Sequence, residues 1–202
     1  MKIGKIFIAF GCLLILSAVG LCGFNIYEAK SAEEASKTAF DAITEKVEIK
    51  KEPEIIENAA EAEIPDYILN PDMEMPVLSV DGTDYIGTLE ITAIGIELPV
   101  ISEWSYPSLK KAPCRYFGSA YTDDMVIAGH NYNAHFKGLE DVPKGSEVVF
   151  RDVDGNEFVY NVSATEVLPP TAIEEMTSGE WDLTIFTCNT TGTYRIAIRC
   201  DK

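Results

Sequence analysis

The hydrophobic positions near the N-terminus form one uninterrupted run. Residues 6–26 carry no charge and are rich in Leu, Ile, Phe and Val, and they follow Lys2 and Lys5. About 20 apolar residues cross the hydrocarbon core of a bilayer, whereas the apolar region of a secretory signal has only about 7–15. The run therefore predicts an uncleaved membrane-spanning helix in residues 1–27. The two lysines favour a cytoplasmic N-terminus, which places everything after Tyr27 outside the cell.

Two alternatives for this N-terminal segment stay open. A cleaved signal peptide is the first, because Ala29-Lys30-Ser31 is compatible with a small-x-small cleavage site. A lipid-anchored Cys22 is the second, and it is disfavoured because Leu21 occupies the position where a small residue normally precedes such a cysteine. The length of the apolar run favours the uncleaved anchor over both.

The hydrophobic pattern becomes sparse in residues 28–64, which are rich in Glu, Ala and Lys. Ser31-Ala32-Glu33-Glu34 fits a capping box at a helix start. A narrow apolar stripe at helical spacing follows, formed by Ala35, Ala39, Ile43 and Val47. This segment is predicted to be an acidic, partly helical stalk that holds a domain away from the membrane, and a disordered linker is the alternative. Neither interpretation indicates chemistry in this segment.

Alternating and β-branched segments dominate residues 65–202 and predict a single all-β domain. Gly, Asp and Pro separate these segments, as is typical of a barrel or a sandwich of short strands. Asp154-Gly155-Asn156 is predicted to form the turn of a hairpin. The predicted strands are Tyr85–Ile91, Gly95–Val100, Met125–His130, Glu147–Arg151, Glu157–Val162, Leu183–Cys188 and Tyr194–Ile198.

The net charge excludes some classes of partner. The chain has a formal net charge of −17, and most of the acidic excess lies in residues 65–202. Nucleic-acid binding requires a basic surface, and an acidic domain does not lie flat on an anionic membrane. We therefore expect no nucleic-acid partner.

The numbers of cysteine and histidine residues limit the chemistry further. Cys12 and Cys22 lie within the apolar run, which leaves three cysteines outside it, so at least one of these is free or bonded elsewhere. These are Cys114, Cys188 and Cys200, and a Cys114–Cys200 pair is conceivable. The chain has only two histidines and no zinc-binding spacing or calcium-loop signature. The sequence predicts no metal or cofactor and leaves calcium dependence open.

One hairpin is predicted to bring a thiol and a guanidinium together. The strand Leu183–Cys188 ends in a cysteine, and the next strand carries Arg195 after the turn residues Asn189-Thr190-Thr191-Gly192. With Thr191-Gly192 as a two-residue loop, Cys188 lies directly opposite Arg195. Paired residues share one face of a sheet, with their Cβ atoms about 4.5–5.5 Å apart. A lone cysteine is more often a buried hydrophobe than a nucleophile, but its combination with an arginine and with His130 points to catalysis.

Three strands of this chain resemble those of the sortases, the membrane-anchored cysteine transpeptidases of Gram-positive bacteria. Met125–Asn131 is similar to the family's histidine strand, Leu183–Cys188 to its T-L-x-T-C strand, and Tyr194–Ile198 to its arginine strand. The similarity extends from about Tyr85 to the C-terminus. It implies a mostly β fold, namely a closed sortase-type β-barrel of about eight strands with short helices, preceded by the transmembrane helix and stalk.

The resemblance implies a role for each residue. Cys188 would attack a backbone carbonyl in the C-terminal sorting signal of an exported protein and form a thioacyl enzyme. His130 would donate a proton to the leaving amine, and Arg195 would hold the substrate and the oxyanion. An amine acceptor, such as a cell-wall precursor, would resolve the intermediate and anchor the surface protein. The implied substrate-binding residues are Thr187, Ala128, Asn131, Pro169 and Ile173, with Thr187 acting through its backbone because its side chain points to the opposite face.

Other interpretations remain open at this stage. Arg199 shares the face of Arg195 but is expected to be a solvated strand charge, and His135 is expected to lie in a surface loop. The absence of a pilin-type lid and of a second membrane span favours a sortase that does not polymerise pili. The alternative functions are an extracellular cysteine peptidase or hydrolase and a non-catalytic surface adhesion module.

Overall fold

The structure of this chain is a computed structural model that describes residues 2–51, 64–189 and 191–202. Its helices are α1 (Lys2–Lys51), α2 (Asp66–Leu69), α3 (Tyr106–Leu109) and α4 (Ile173–Met176), with 3₁₀ turns at Thr92–Ile94 and Leu139–Asp141. Its strands are β1 (Leu78–Val80), β2 (Thr83–Ile91), β3 (Ile96–Ile101), β4 (Cys114–Phe117), β5 (Met125–Ala128), β6 (Glu147–Asp152), β7 (Glu157–Leu168), β8 (Leu183–Cys188) and β9 (Arg195–Asp201).

Strands β2 to β9 form a closed barrel. The order across the sheet is β1-β2-β3-β4-β5-β8-β9-β7-β6, and β6 also pairs with β2, which closes the eight-stranded ring. Strand β1 is an additional strand that forms a hairpin with β2. The β3–β4 and β5–β8 pairs are parallel and the other pairs are antiparallel. The predicted β-barrel of about eight strands with short helices is therefore confirmed.

The interior of the barrel is filled by alternate residues of the strands. In β7 the residues from Phe158 to Val162 alternate between buried and exposed, as expected of a strand with one face on a core. Aliphatic and aromatic side chains from β2, β5, β6 and β8 meet them, including Leu89, Ile127, Phe150 and Ile185. Burial of these side chains, each worth about 1.5–3 kcal/mol, is the main stabilisation of the barrel.

The predicted hairpin around Asp154-Gly155-Asn156 is confirmed. Strands β6 and β7 pair on either side of it, and the buried Asp152 carboxylate accepts hydrogen bonds from the backbone N–H groups of Asp154 and Asn156, each 2.9 Å long. The Tyr121 hydroxyl donates to the same carboxylate at 2.7 Å. Asp152 therefore stabilises the turn and connects it to the loop before β5.

The segment after the apolar run differs from the expected stalk. Helix α1 continues without a break from Lys2 to Lys51, and its second half packs on the barrel. Ala39 and Ile43 of the predicted apolar stripe are fully buried against Tyr85 and neighbouring residues. The stripe covers a hydrophobic surface of the domain, so residues 28–51 belong to the folded unit and do not hold it at a distance. Residues 52–63 of the predicted stalk lie outside the described residues.

Candidate active site

The parallel pairing of β5 and β8 brings His130 next to Cys188. Ala128 pairs with Phe186, and the Gly129 N–H donates to the Phe186 carbonyl at 3.0 Å. Two residues beyond this pair the two chains reach His130 and Cys188. Neighbouring strands lie about 4.8 Å apart, and residues two positions apart share one face. The imidazole and the thiol therefore belong to the same end and the same face of the sheet.

Gly129 is required for the chain to reach this position. A Cβ atom at Gly129 would lie 2.3 Å from the ring of Phe136, which is fully buried. The Phe136 N–H in turn donates to the His130 carbonyl at 3.1 Å. The loop after β5 thus folds back over Gly129 and holds the His130 backbone in place.

Antiparallel pairing of β8 and β9 adds the arginine. Cys188 lies directly opposite Arg195, as the sequence predicts. The turn between them is closed by the Asn189 carbonyl, which accepts from the Gly192 N–H at 2.9 Å, and by the Asn189 N–H, which donates to the Tyr194 carbonyl at 3.0 Å. Gly192 has φ 73°, in the left-handed region that favours glycine. The proposed pairing of Thr190 with Thr193 involves a residue outside the described part of the chain.

His130, Cys188 and Arg195 line one cavity of about 230 Å³. Three further predicted substrate-binding residues also line it, namely Ala128, Pro169 and Ile173. The remaining wall is mostly apolar and consists of Trp104, Tyr106, Leu109, Tyr116, Gly129, Pro170, Ala172, Met176 and Phe186. A groove with apolar walls and a few convergent polar groups is the usual form of a ligand site.

Neither Asn131 nor the Thr187 side chain lines this cavity, and strand alternation predicts the opposite face for Thr187. Asn131 lines a separate crevice between α1 and the loop after His130. The Thr187 hydroxyl is buried and donates to the Gly129 carbonyl at 2.8 Å, on the side of β8 away from the cavity. Thr187 thus connects the ends of β8 and β5, and its side chain does not reach the groove.

The sequence interpretation missed the aromatic wall of the cavity. Trp104 contacts Tyr116 edge to face with ring centroids 5.7 Å apart, and Tyr116 contacts Phe186 in the same way at 5.5 Å. These rings come from the loop after β3, from β4 and from β8. The density of aromatic residues in 104–116 is the one feature of the sequence that could have indicated this wall.

His130 lies between an aromatic ring and a pair of charges. The Tyr132 ring stacks on the imidazole with centroids 4.6 Å apart and an interplanar angle of 21°. Burial lowers the pKa of His130 below its ordinary value, and the positive charge of Lys110 lowers it further, while Glu28 opposes the shift. The neutral imidazole is therefore favoured, and the charged form is available to a smaller extent.

Of the cysteines outside the apolar run, Cys188 is the accessible one. Cys114 and Cys200 are fully buried, and burial raises the pKa of each thiol to about 12. Cys188 is half-buried at the end of β8. All three are free thiols, so the conceivable Cys114–Cys200 disulfide is not formed. Exposure thus separates the candidate nucleophile from two structural thiols.

The expectation that Arg199 is a solvated charge is wrong. Its side chain is buried, its Nε donates to Glu166 at 2.8 Å, and its terminal nitrogens donate to the Thr184 hydroxyl at 2.9 Å and the Glu175 carbonyl at 2.8 Å. These bonds attach α4 to β8 and β9. Strand alternation correctly places Arg199 on the same face as Arg195. Helix α4 covers that face around Arg199.

A matched pair of substitutions separates the two arginines. We expect Arg195→Met to lower the rate of acylation by about 10²–10³-fold, the usual effect of removing one donor to an oxyanion, with an unchanged Tm. We expect Arg199→Met to lower the free energy of unfolding by roughly 1.5–3 kcal/mol, because buried charge-assisted hydrogen bonds are lost. Steady-state kinetics and thermal unfolding measure both. A folded Arg199→Met protein that loses acylation, beside an active Arg195→Met protein, would reverse the assignment.

The expectation that His135 lies in a surface loop is also wrong. The residue is fully buried, and neither ring nitrogen has a hydrogen-bond partner among the described residues. The Tyr132 ring lies 5.6 Å from it, centroid to centroid. Burial lowers the pKa of His135 to about 4, and the charge of His130 adds to the shift. His135 is thus a neutral, buried residue within the loop that carries His130.

This burial predicts a pH dependence of stability. Between pH 6.5 and about 4 the unfolded chain binds a proton at His135 that the folded chain does not, so stability falls as the pH falls through this window. The loss amounts to about 3 kcal/mol, and His130, whose pKa is also lowered, contributes in the same direction. Urea unfolding at several pH values should show that the free energy of unfolding depends less steeply on pH in His135→Gln than in the wild type. Equal slopes would contradict the assignment.

The site contains no recognisable metal centre. Among residues 2–51, 64–189 and 191–202, no group of three or more His, Cys, Asp or Glu side chains could hold an ion.

Comparisons with known proteins agree with the fold. The family model described as the Sortase domain matches residues 89–202. Sortase C1 from Streptococcus suis is 26% identical over 58% of this chain and 72% of that chain, with a TM-score of 0.50. A sortase D5 transpeptidase from Clostridium perfringens is 18% identical over 83% and 98%, with a TM-score of 0.59. Sortase A from Corynebacterium diphtheriae is 20% identical over 92% and 94%, with a TM-score of 0.51.

The comparisons differ in what they support. The family match covers more than half of the chain and includes all three candidate catalytic residues. The two structures with lower identity support the barrel fold alone. No curated protein matches the chain.

Proposed function

Because this chain belongs to the sortase family of cysteine transpeptidases, we propose that it cleaves the C-terminal sorting signal of exported proteins and transfers the acyl group to an amine, which anchors surface proteins to the cell wall. The observation that carries the proposal is the convergence of Cys188, His130 and Arg195 on one cavity from β8, the end of β5 and β9. A buried core thiol, as the adhesion-module alternative requires, would not line an open groove beside an imidazole and a guanidinium.

In the proposed first step the thiolate of Cys188 attacks a substrate carbonyl. The C–N bond of the substrate breaks, and the leaving amine takes a proton from His130. Tyr132 stacks on the imidazole and restricts its orientation, which keeps the donated proton pointing in one direction. The fraction of protonated His130 limits this step at neutral pH, because burial favours the neutral ring.

Arg195 is proposed to stabilise the tetrahedral intermediate. It lies opposite Cys188 on the neighbouring strand, so a carbonyl bonded to the sulfur lies within reach of its guanidinium. Negative charge develops on that oxygen only during the reaction, and a positioned donor then contributes about 3–4 kcal/mol. An incoming amine afterwards attacks the thioester, loses a proton to His130 and releases Cys188.

The walls of the cavity suit an extended peptide with apolar side chains. Pro169, Pro170 and Ile173 form one wall, and the rings of Trp104 and Tyr116 form another. The Arg199 hydrogen bond to the Glu175 carbonyl fixes α4 against the barrel and so fixes the first wall. We assign sorting-signal recognition to these two walls.

Helix α1 supports the membrane part of the proposal. It is the helix among the described residues that is long and apolar enough to cross a membrane. The large apolar side chains described between Phe7 and Tyr27 are exposed, as required for contact with lipid. We propose that this part of α1 spans the cell membrane with a cytoplasmic N-terminus, and that the barrel lies outside the cell.

Mass spectrometry of the full-length protein in detergent tests the proposed reaction. Incubation with a panel of sorting-signal peptides should add the mass of the N-terminal peptide fragment to Cys188, and an added amine should then release an amide product. A thioester that yields only the free acid, even at high amine concentration, would assign the chain to the hydrolases. No adduct with any peptide would refute the catalytic proposal.

A further inference from the structure

The active-site groove lies close to the point where α1 leaves its apolar segment. Ile26 is the last residue of the uncharged run, and Glu28 follows two residues later, about 3 Å further along the helix axis. The Glu28 carboxylate forms an ion pair with Lys110 at 2.6 Å. Lys110 directly follows α3, which contributes Tyr106 and Leu109 to the groove.

A second contact places the other side of the groove at the same level. The crevice between α1 and the loop after His130 is lined by Asn25 and Ile26 on the helix and by Asn131 and Tyr132 on the loop. Both α3 and the His130 loop therefore lie beside residues 25–28 of α1. The headgroup layer on each side of a bilayer is roughly 5–7 Å thick, which is about one helical turn.

The exposed side chains on this rim have the chemistry of a membrane interface. Tyr106 is 73% exposed and Trp104 is 37% exposed, and their rings meet edge to face with centroids 5.0 Å apart. Tyr106 and Lys110 are four residues apart and so lie on one side of this helical turn. Trp and Tyr side chains concentrate at the headgroup level of membranes, where one end of the ring is apolar and the other is wet.

We propose that the rim formed by Trp104, Tyr106 and Lys110, together with the His130 loop, lies in the headgroup layer of the outer leaflet, so that the groove opens onto the bilayer surface. The occupant of this rim is the phospholipid headgroup layer around α1 itself. The inference rests on the membrane span under the proposed function. Its consequence is that the enzyme acts on peptide segments presented within a few ångströms of the membrane surface.

The acidic net charge does not oppose this placement. The charge of Lys110 is balanced by Glu28 in the ion pair, and the contact depends on aromatic rings rather than on attraction to anionic lipid. A bilayer of neutral headgroups is therefore the proper test. In such a bilayer the acidic surface of the barrel experiences no repulsion from lipid charge.

The two tryptophans provide a test with an internal control. The chain has only Trp104 and Trp181, and Trp181 precedes the start of β8, whereas the site lies at its other end. The two ends of β8 are about 17 Å apart. The full chain is reconstituted in phosphatidylcholine nanodiscs whose acyl chains carry a spin label near the headgroup. Trp181→Phe leaves Trp104 as the reporter, and Trp104→Phe leaves Trp181.

We expect the spin label to quench the fluorescence of Trp104 at least twofold and to leave that of Trp181 unchanged. Unquenched Trp104 in protein that elutes with the nanodiscs would overturn the placement of the rim but not the membrane span. Equal quenching of both reporters would do the same. Failure to elute with the nanodiscs would refute the span as well. Thioester formation on soluble peptide in detergent reports on the catalytic proposal independently, so failure of the two proposals can be distinguished.

Discussion

Cys188→Ala is expected to abolish the thioacyl enzyme and to lower peptide cleavage by roughly 10³-fold or more. The groove supplies no other thiol, since the other two cysteines of the barrel are fully buried. Removal of a covalent nucleophile takes away the reaction path itself, and the remaining binding groups sustain only a small residual rate. Cleavage of a fluorogenic sorting-signal peptide and intact-protein mass spectrometry measure the two effects.

Cys188→Ser and alkylation provide the controls for this prediction. Serine keeps the size of the side chain, so a loss nearly as large as that of alanine assigns the effect to thiol chemistry. Iodoacetamide should modify Cys188 in the folded domain and leave Cys114 and Cys200 unmodified, because burial raises the pKa of both to about 12. Cleavage by Cys188→Ala at the wild-type rate, or a thioester on another cysteine, would overturn the assignment.

The position of Arg195 relative to Cys188 was predictable because it depends on local chain geometry. A short turn between two alternating strands fixes which residues face each other, and the observed pairing agrees. Hydrogen bonds of Asn189 to Gly192 and Tyr194 close the turn where the two strands end. The predicted Thr190–Thr193 pair of the two-residue loop includes a residue outside the described part of the chain.

The position of His130 was not accessible to the same reasoning. It depends on the parallel pairing of β5 with β8, and two further strands lie between them in sequence. Local pattern predicts each strand but not which distant strand it pairs with. The resemblance to the sortases supplied this contact, and the structure agrees with it.

The errors in the sequence interpretation share one physical cause. Alternation and charge report which face a residue occupies, not how deeply later elements cover it. Arg199 is buried because α4 closes over it, and His135 is buried because the loop after β5 folds inward around Phe136. The second half of α1 also packs on the barrel, because its narrow stripe of small and branched residues fits closely against the barrel's outer surface.

His130→Asn is expected to lower the rate of acylation by about 10²–10⁴-fold, the usual contribution of a positioned general acid. The leaving amine needs a proton as the C–N bond breaks, and the amide of asparagine is too weak an acid to supply one. Binding of the peptide should change little, so kcat falls much more than KM. Steady-state kinetics that give both kcat and KM measure this effect, and Tm is the folding control. A rise in KM of similar size, with kcat unchanged, would instead assign His130 to substrate binding.

Lys110→Met gives the same prediction a pH signature. Burial and the charge of Lys110 lower the pKa of His130, and Glu28 raises it, so removal of the lysine leaves Glu28 opposed by burial alone and raises the pKa. A general acid works in its protonated form, and a higher pKa keeps it protonated to a higher pH. The alkaline limb of the kcat/KM profile should therefore move to higher pH in Lys110→Met. Lys111→Met is the matched control, because the Lys111 side chain donates to Thr83 at 2.9 Å. A limb that stays in place, or that moves equally in both variants, would show that His130 does not supply the proton.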